Sequence, residues 1–250
     1  MHPMRIGILG AGAIGATLVR RLSTAGHAVK VANSRGPETI DPGLLTSGAR
    51  AVEATEAVVD VDVLITSIPF HRMADIAPLI ARAPRDAVVI DTSNYYPRRD
   101  GGIPAIDDGQ VESAWVAEQL GRPVAKAWNA ITAQSFADRA APQGAPERIA
   151  IPVAADREAD RAVVIRLVEE TGFDAYDAGA IEDSWRFQPA APAYCTDLTT
   201  AEMSEALSAA QKDRIPRRRD LAMELIAERA EGGDTITGDF LVQFNRAVYR

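Results

Sequence analysis

The chain has 250 residues, 47% of them hydrophobic and 25% charged, which is enough to bury a full core as one large domain or as one domain with a smaller appendage. Its net charge of -8 leaves no excess positive field for a phosphate backbone, so nucleic acid is not expected as a partner. A single cysteine, Cys195, excludes an internal disulfide and multi-cysteine metal sites, and we expect no bound metal. Long apolar runs and a signal-peptide pattern are absent, so we expect a cytoplasmic protein that does not enter a membrane.

Short apolar runs alternate with stretches of helical periodicity over the first 180 residues. Strands are predicted at 5–9, 28–32, 61–66, 87–91, 124–128, 149–154 and 173–177, and helices at about 73–83, 110–120 and 158–170, with a further helix directly after the first strand. Such βαβ repetition predicts an α/β fold of the Rossmann type, with a doubly wound, mostly parallel sheet. We expect a nucleotide-binding domain over 1–180 and a small, mainly helical C-terminal region over 181–250.

Three glycines follow the first predicted strand with the spacing G-x-G-x-x-G. In a dinucleotide-binding turn, the first (Gly10) makes the tight turn, the second (Gly12) lets the pyrophosphate approach, and the third (Gly15) lets the helix pack on the strand. Glycine-rich turns also serve structure alone, but the position between a strand and a helix favours a dinucleotide site. We expect Ala13 and Ile14, in the same turn, to contact the cofactor as well.

The end of the second predicted strand has Asn33, Ser34 and Arg35 where an NAD site normally has an acidic residue. A carboxylate there would repel a 2′-phosphate, whereas Arg35 can pair with it and Ser34 can donate a hydrogen bond to it. The sequence therefore predicts NADP(H) as the cofactor. The alternative is a simple polar turn, with Glu38 or Asp41 reaching the ribose.

Ligands of open α/β sheets lie across the carboxyl ends of the strands, so the residues after each strand are candidates for cofactor contact. We expect Ser67, Ile68 and Pro69 to pass under the ribose and nicotinamide. Asn94 and Asn129 follow two later strands, where they would face the nicotinamide.

The catalytic group is not assigned by the sequence, and Asn129 and Lys126 are the two candidates. Side chains alternate along the run VAKAW, so only one of Lys126 and Ala127 can face the cofactor. We favour Ala127, beneath the nicotinamide ring, while Lys126 could polarise a carbonyl if its side chain turned inward.

Aromatic side chains are expected to line the pocket of the hydride acceptor. The set is Phe70, Tyr95, Trp128, Trp185 and Tyr194. This lining contains few acids and no cluster of basic groups. It therefore suits a small planar or moderately apolar acceptor better than a sugar phosphate.

The motifs RIGILGAGAIGATLVRRLSTAGHAV, NSR, SIPFH, VIDTSNYY, GRPVAKAWNAI and the final YDAG, spread over residues 5–179, resemble the NADP oxidoreductases that reduce or oxidise the deazaflavin coenzyme F420. The resemblance implies a Rossmann domain, NADP held through Ser34 and Arg35, and hydride transfer without a dedicated acid. A basic residue that often follows the serine–arginine pair is Thr39 here, which implies weaker 2′-phosphate binding. The region after Gly179 does not resemble the part that lines the coenzyme pocket, so the acceptor does not carry over.

Two further expectations concern the loops and the C-terminal region. Residues 96–110 are crowded with Pro, Gly and charge and are a candidate mobile lid. Residues 198–230 space their large apolar side chains on one helical face, and Pro216 is expected to break or kink this stretch. The apolar face favours a homodimer. The alternative is a C-terminal tail folded back on its own subunit. A second functional class also stays open, because no general acid is evident: a non-enzymatic NADP-binding redox sensor or partner-docking protein.

Overall fold

A computed structural model describes residues 2–249 and shows one twisted sheet of eight strands. The strands are β1 (Arg5–Leu9), β2 (Ala28–Ala32), β3 (Arg50–Ala51), β4 (Val63–Thr66), β5 (Val88–Asp91), β6 (Ala125–Lys126), β7 (Ala150–Ala155) and β8 (Asp174–Asp177). Their spatial order is β3-β2-β1-β4-β5-β6-β7-β8. β2 and β3 are added outward on one side of β1, and β4 is then added on its other side. The crevice at this switch point lies above β1 and β4. The α/β class with a mostly parallel sheet is confirmed.

Helices connect the strands and complete the C-terminal region. They are α1 (Ala13–Thr24), α2 (Pro42–Leu45), α3 (Ala54–Ala57), α4 (Ala77–Ile80), α5 (Pro97–Asp100), α6 (Pro104–Asp107), α7 (Glu112–Leu120), α8 (Ala133–Asp138), α9 (Glu158–Glu170), α10 (Thr200–Ser208), α11 (Ile215–Glu231) and α12 (Gly238–Tyr249). Short 3-10 segments lie at Pro37–Thr39, Phe70–Arg72, Ala74–Ile76, Ile181–Phe187 and Lys212–Arg214.

The strands are apolar on both sides because helices cover both faces of the sheet. Along β4, Leu64 packs into one apolar cluster while Val63 and Ile65 pack into the other. All three side chains are fully buried. The cluster that contains Leu64 also includes Phe187 and Leu198, so the C-terminal region shares a core with the sheet.

The predicted βαβ unit β7-α9-β8 is present, but β7 pairs with β6 in the antiparallel direction. All other neighbouring strands are parallel. The chain between β6 and β7 stays at the carboxyl edge and re-enters the sheet from there, so no crossover to the opposite edge is needed. This segment includes α8, which covers the crevice edge.

The C-terminal region is helical, as expected, and the stretch 198–230 is broken between α10 and α11, just before Pro216. Pro216 itself lies in the first turn of α11, where a missing backbone N–H costs nothing. Segment 96–110 is not an open loop: it forms α5 and α6, and the Tyr95 hydroxyl donates to the Gly101 carbonyl and to Asp107 at 3.1 Å each. The described helices include none that is both long and apolar enough to span a bilayer.

Candidate functional site

The turn between β1 and α1 has the geometry that a phosphate cradle needs. Gly10 has φ of +109°, and a Cβ at this position would overlap the carbonyl oxygen of Ser67. A Cβ on Gly15 would overlap the Gly10 carbonyl oxygen, because the helix packs directly against the turn. A Cβ on Gly12 would meet nothing within 4 Å. The first and third glycines are thus required by the fold, and the second faces open space.

The N-terminus of α1 opens onto that same space. Gly12 is its N-cap residue, and no side chain caps the first turn. The free N–H groups and the positive end of the helix dipole favour a bound phosphate there. Ala13 is exposed and Ile14 is half-buried at this helix start. These residues fit the pyrophosphate of a dinucleotide.

The tip of β2 is organised by Asn33. Its side-chain oxygen accepts from the Arg35 backbone N–H at 2.9 Å, and its side-chain nitrogen donates to the Thr39 hydroxyl at 2.8 Å. Ser34 and Arg35 are exposed, and the Arg35 guanidinium makes no hydrogen bond or ion pair with any residue in 2–249. Asn33 therefore shapes the turn and leaves a free arginine at its tip, which fits a 2′-phosphate.

A cavity of about 480 Å³ runs from this tip to the glycine turn. Its walls are Leu9, Gly10, Ala11, Gly12, Ala32, Asn33, Ser34, Arg35, Ala54, Ser67, Ile68, Pro69, His71, Arg72, Ile76 and Leu79. No carboxylate lines it within the described chain. Asp41 instead caps α2 by accepting from the Gly43 N–H at 2.8 Å, so this acidic residue is engaged outside the cavity.

The loop after β5 is fixed by a buried ion pair. The Lys126 ammonium lies 2.6 Å from the Asp91 carboxylate and donates to the Ser93 carbonyl at 2.5 Å. Asp91 also accepts from the N–H of Ser93 at 2.9 Å and from its hydroxyl at 2.7 Å. Both charged side chains are buried. The pair thereby sets the backbone from which Asn94 projects.

A second cavity, of about 580 Å³, adjoins the first. Gly12, Ser67, Ile68 and Pro69 line both, so the two form one path along the carboxyl edge. The remaining walls are Ala13, Ile14, Thr92, Ser93, Asn94, Tyr96, Arg99, Trp128, Asn129, Ile131, Thr132, Ala133, Tyr194, Cys195, Met223, Ile226, Ile236, Leu241, Asn245 and Tyr249. The floor is polar, and the C-terminal helices supply an apolar wall.

Two amide side chains lock each other on this floor. Asn94 donates to the Asn129 carbonyl at 2.9 Å, and Asn129 donates to the Asn94 side-chain oxygen at 3.2 Å and to the Phe187 carbonyl at 3.1 Å. The side-chain oxygen of Asn129 is buried and has no hydrogen-bond partner among the described residues. An N–H group of a bound molecule would satisfy it.

Tyrosines lie beside the amide pair. The Tyr96 and Tyr194 hydroxyl oxygens are 2.6 Å apart, and Asn94 donates to the Tyr194 oxygen at 3.2 Å. Burial raises the pKa of Tyr96, of Tyr194 and of the Cys195 thiol above their ordinary values, so these groups are protonated near neutral pH.

The structure brings most of the sequence-predicted residues together. The following predicted residues line the combined cavity: Gly10, Gly12, Ala13, Ile14, Asn33, Ser34, Arg35, Ser67, Ile68, Pro69, Asn94, Trp128, Asn129 and Tyr194. Gly15 lies behind it, in the packing of the turn. The indole of Trp128 is fully buried, and its N–H faces the Thr171 hydroxyl at 3.3 Å, so the ring itself points into the core.

Three of the predicted acceptor-pocket aromatics are placed elsewhere, which corrects the expectation. Phe70 is fully buried and stacks on Trp115 of α7 with ring centroids 5.1 Å apart. Tyr95 is also fully buried and holds segment 101–107 through its hydroxyl. Trp185 packs against the core and has the Arg186 guanidinium 4.6 Å above its ring.

The two residues weighed on β6 and after it are also corrected. Lys126 lines neither cavity, and Asp91 and the Ser93 carbonyl engage its ammonium. Ala127 is fully buried in the core cluster that contains Trp128, away from the cavity. Of the two catalytic candidates, only Asn129 lines the cavity.

Sequence reasoning missed the residues that only tertiary packing brings here. Arg72 and His71 reach the first cavity through the 3-10 segment after β4, and Tyr96 reaches the second. Ile236 and Leu241 come from the extreme C-terminal part, where nothing in the local pattern indicates a site. Residues 2–249 contain no group of three or more His, Cys, Asp or Glu placed to hold a metal ion.

Comparison with known proteins places this geometry in a family. The model of the family "NADP oxidoreductase coenzyme F420-dependent" matches residues 5–95. The protein YjhV of Escherichia coli (strain K12) is 36% identical over 107 residues, which are 43% of this chain and 76% of that protein.

Solved structures share the fold. SMa0349 of Sinorhizobium meliloti has 27% identity and a TM-score of 0.63, with 75% of this chain and 90% of that chain covered. A protein of Arthrobacter sp. FB24, with a provisional assignment as an F420-dependent NADP reductase, has 18% identity and a TM-score of 0.54, with 71% and 86% covered. The resemblance and the NADP(H) prediction are confirmed: the chain belongs to the family of coenzyme F420-dependent NADP oxidoreductases, and its cofactor is NADP(H).

Proposed function

We propose that one NADPH molecule lies along both cavities and that its hydride passes to a small planar or moderately apolar acceptor in the second. The observation that supports this most strongly is the continuity of the two cavities through Gly12 and residues 67–69. One end of the path has a free arginine and the other has polar amide and phenol groups. The two ends of NADPH match these two ends of the path. Its adenosine carries a 2′-phosphate that would bind the arginine, and its nicotinamide ring carries a carboxamide that would bind the polar groups.

Each part of the chain has a distinct task in this proposal. Ser34 and Arg35 bind the 2′-phosphate, and the N–H groups at the start of α1 bind the pyrophosphate. Asn129 offers its unpartnered oxygen to the N–H of the nicotinamide carboxamide or of the acceptor. Bound NADPH supplies the hydride. The C-terminal helices exclude water from the acceptor, which hydride transfer requires.

The lining of the second cavity favours the acceptor class. Arg99 is the single basic side chain among the lining residues, and it is already paired with Asp100 at 2.8 Å and donates to the Asn94 carbonyl at 2.6 Å. A sugar phosphate would need free basic groups, and none is offered by this lining. Met223, Ile226 and Leu241 provide an apolar wall instead. A deazaflavin, a ketone, an aldehyde or an imine meets these conditions.

A screen of acceptors tests the proposal. The full chain is incubated with NADPH and, separately, with F420, free flavin, ferric citrate, cyclohexanone and 2-methyl-1-pyrroline, and the absorbance of reduced nicotinamide is followed. We expect at least one acceptor to be reduced with NADPH and much more slowly with NADH. Tight NADPH binding without oxidation by any acceptor would contradict the proposal and favour a non-enzymatic redox sensor.

A homodimer remains a prediction from the sequence. Leu221 and Leu225 of α11 are 48% and 55% exposed, and they are the large apolar side chains that residues 2–249 leave most open to solvent. Burying them against a second copy would remove this exposed apolar surface from water. Sedimentation at micromolar concentration checks the expectation, and a monomer would contradict it.

A further inference from the structure

The polar floor of the second cavity contains a hydroxyl pair whose protons can be counted. Tyr96 and Tyr194 contribute two O–H protons, and one hydrogen bond joins their oxygens at 2.6 Å. Only one of the two protons can lie in that bond. For the second proton the described residues offer the Cys195 thiol, a weak acceptor beside Tyr194, and no oxygen or nitrogen acceptor within hydrogen-bond distance.

Asn94 lies on the Tyr194 side of this hydroxyl pair. Its side-chain N–H₂ donates to the Tyr194 oxygen at 3.2 Å. Either hydroxyl can donate in the 2.6 Å bond. When Tyr96 donates, the Tyr194 oxygen accepts two hydrogen bonds, and its own proton is left between the weak Cys195 acceptor and the cavity. When Tyr194 donates, the remaining proton is that of Tyr96. The Asn94 N–H₂ would stabilise the phenolate that remains after the proton is given away, against the burial that raises the pKa of Tyr194. In the state in which Tyr96 donates, Tyr194 is arranged as a proton donor to a molecule in the cavity.

We propose that Tyr194 is the proton donor of the reduction and that the acceptor is a carbonyl or imine compound, an inference that rests on the proposed NADPH-dependent hydride transfer. Tyr96 and Asn94 are positioning residues, because each acts through the Tyr194 oxygen. Tyr194 is held in place by its backbone as well: the Asn245 side chain of α12 lies 3.4 Å from the Tyr194 carbonyl and donates to the Cys195 carbonyl at 3.2 Å.

The reaction balances with these groups. Bound NADPH would supply the hydride, with its electron pair, for the new C–H bond at the carbonyl or imine carbon. The π pair of the C=O or C=N bond moves to the heteroatom, which takes the proton of Tyr194 as the phenol O–H bond breaks. The Tyr194 phenolate then regains a proton from solvent when the product leaves the cavity.

This arrangement distinguishes carbonyl and imine acceptors from a deazaflavin. An alkoxide or amide anion concentrates its charge on one atom next to the reacting carbon, so a proton donor at that place has a large effect. A deazaflavin spreads the added charge over its ring system, and its reduction depends less on a donor there. Near neutral pH the donor is in its acid form, because burial raises the pKa of Tyr194.

The test compares Tyr194→Phe with Tyr176→Phe, a control on β8 outside both cavities. With NADPH and either cyclohexanone or 2-methyl-1-pyrroline, we expect Tyr194→Phe to lower kcat about 100-fold or more and Tyr176→Phe to leave it unchanged. NADPH binding, followed by fluorescence, should be the same in all three proteins. We expect Tyr96→Phe to lower kcat with little change in KM, since it removes a donor to the Tyr194 oxygen and not a contact with the acceptor.

A binding measurement completes the test without turnover. Isobutyramide has a carbonyl oxygen that accepts a hydrogen bond but is not reduced, and its binding to the NADP⁺ complex can be measured by calorimetry. Loss of one hydrogen bond should weaken it roughly tenfold in Tyr194→Phe and not in Tyr176→Phe.

The outcomes separate the two proposals. If F420 alone is reduced, or if Tyr194→Phe reduces a ketone or imine as fast as the unaltered chain, the donor role is overturned while the hydride-transfer function stands. If no acceptor is reduced, the proposed function fails. The donor role rests on that function and fails with it. Where a ketone or imine is reduced, the roughly tenfold loss of isobutyramide binding in Tyr194→Phe supports the donor role and unchanged binding overturns it.

Discussion

Replacing Arg35 by alanine tests how the chain selects NADP(H). The Arg35 guanidinium is exposed and has no ion-pair partner in residues 2–249, so it is free to bind a phosphate. A charge-assisted hydrogen bond contributes about 1.5–3 kcal/mol, which corresponds to a roughly ten- to hundredfold change in Kd. Competition from water at an exposed site favours the lower part of this range. NADH has no 2′-phosphate, so its Kd should change by less than about twofold.

Fluorescence titration of the unaltered chain and of Arg35→Ala with NADPH and with NADH measures both effects. Arg85→Ala is the matched control, because Arg85 is also exposed and lies outside the lining of both cavities. It should change neither Kd. Because the 2′-phosphate contact is strongly electrostatic, the difference between the two cofactors should also shrink as salt rises. Equal weakening of NADPH and NADH by Arg35→Ala would refute the reasoning.

Three further predictions concern the cradle and the buried charges. Gly12→Ala should change the free energy of unfolding by no more than about 1 kcal/mol, because the new Cβ meets no protein atom. The same Cβ enters the open space above α1, so NADPH binding should weaken more than about tenfold, and unimpaired NADPH binding in titration would contradict this. Lys126→Met should lower the free energy of unfolding in urea by about 3–5 kcal/mol, because Asp91 is left buried without a countercharge, and a loss below about 1 kcal/mol would contradict this. Burial raises the pKa of Glu112 from 4.5 to about 7, so unfolding releases a proton between these pH values, and the stability of the unaltered chain falls as pH rises through them. Over that window, Glu112→Gln should gain up to about 3 kcal/mol in free energy of unfolding relative to the unaltered chain. Urea titrations at a series of pH values measure this difference, and parallel pH profiles of the two proteins would contradict it.

The cofactor half of the site could be predicted from local sequence. Gly10 and Gly12 lie in the turn between β1 and α1, and Gly15 lies in the first turn of α1. The polar tip of β2 follows about 20 residues later, at the spacing general to these folds. Each feature depends on residues close together in the chain, so local periodicity and spacing were sufficient.

The acceptor half could not be predicted in the same way. Phe70 stacks on Trp115 in the core and not in the cavity, and Lys126 forms an ion pair with Asp91, 35 residues earlier in the chain. These choices depend on strand register and helix packing, which no local pattern reports. β3 has only two residues and gives no periodic signal, and the antiparallel direction of β7 is set by the path of the connection before it.

The crystal structure of the NADPH complex tests the central claim most directly, because the claim is that one NADPH spans both cavities. The account predicts the 2′-phosphate on Ser34 and Arg35, the pyrophosphate at Gly12, and the nicotinamide in the second cavity beside Asn129 and Tyr194. A complex with the 2′-phosphate away from residues 34–35, or with the nicotinamide outside the second cavity, would contradict it.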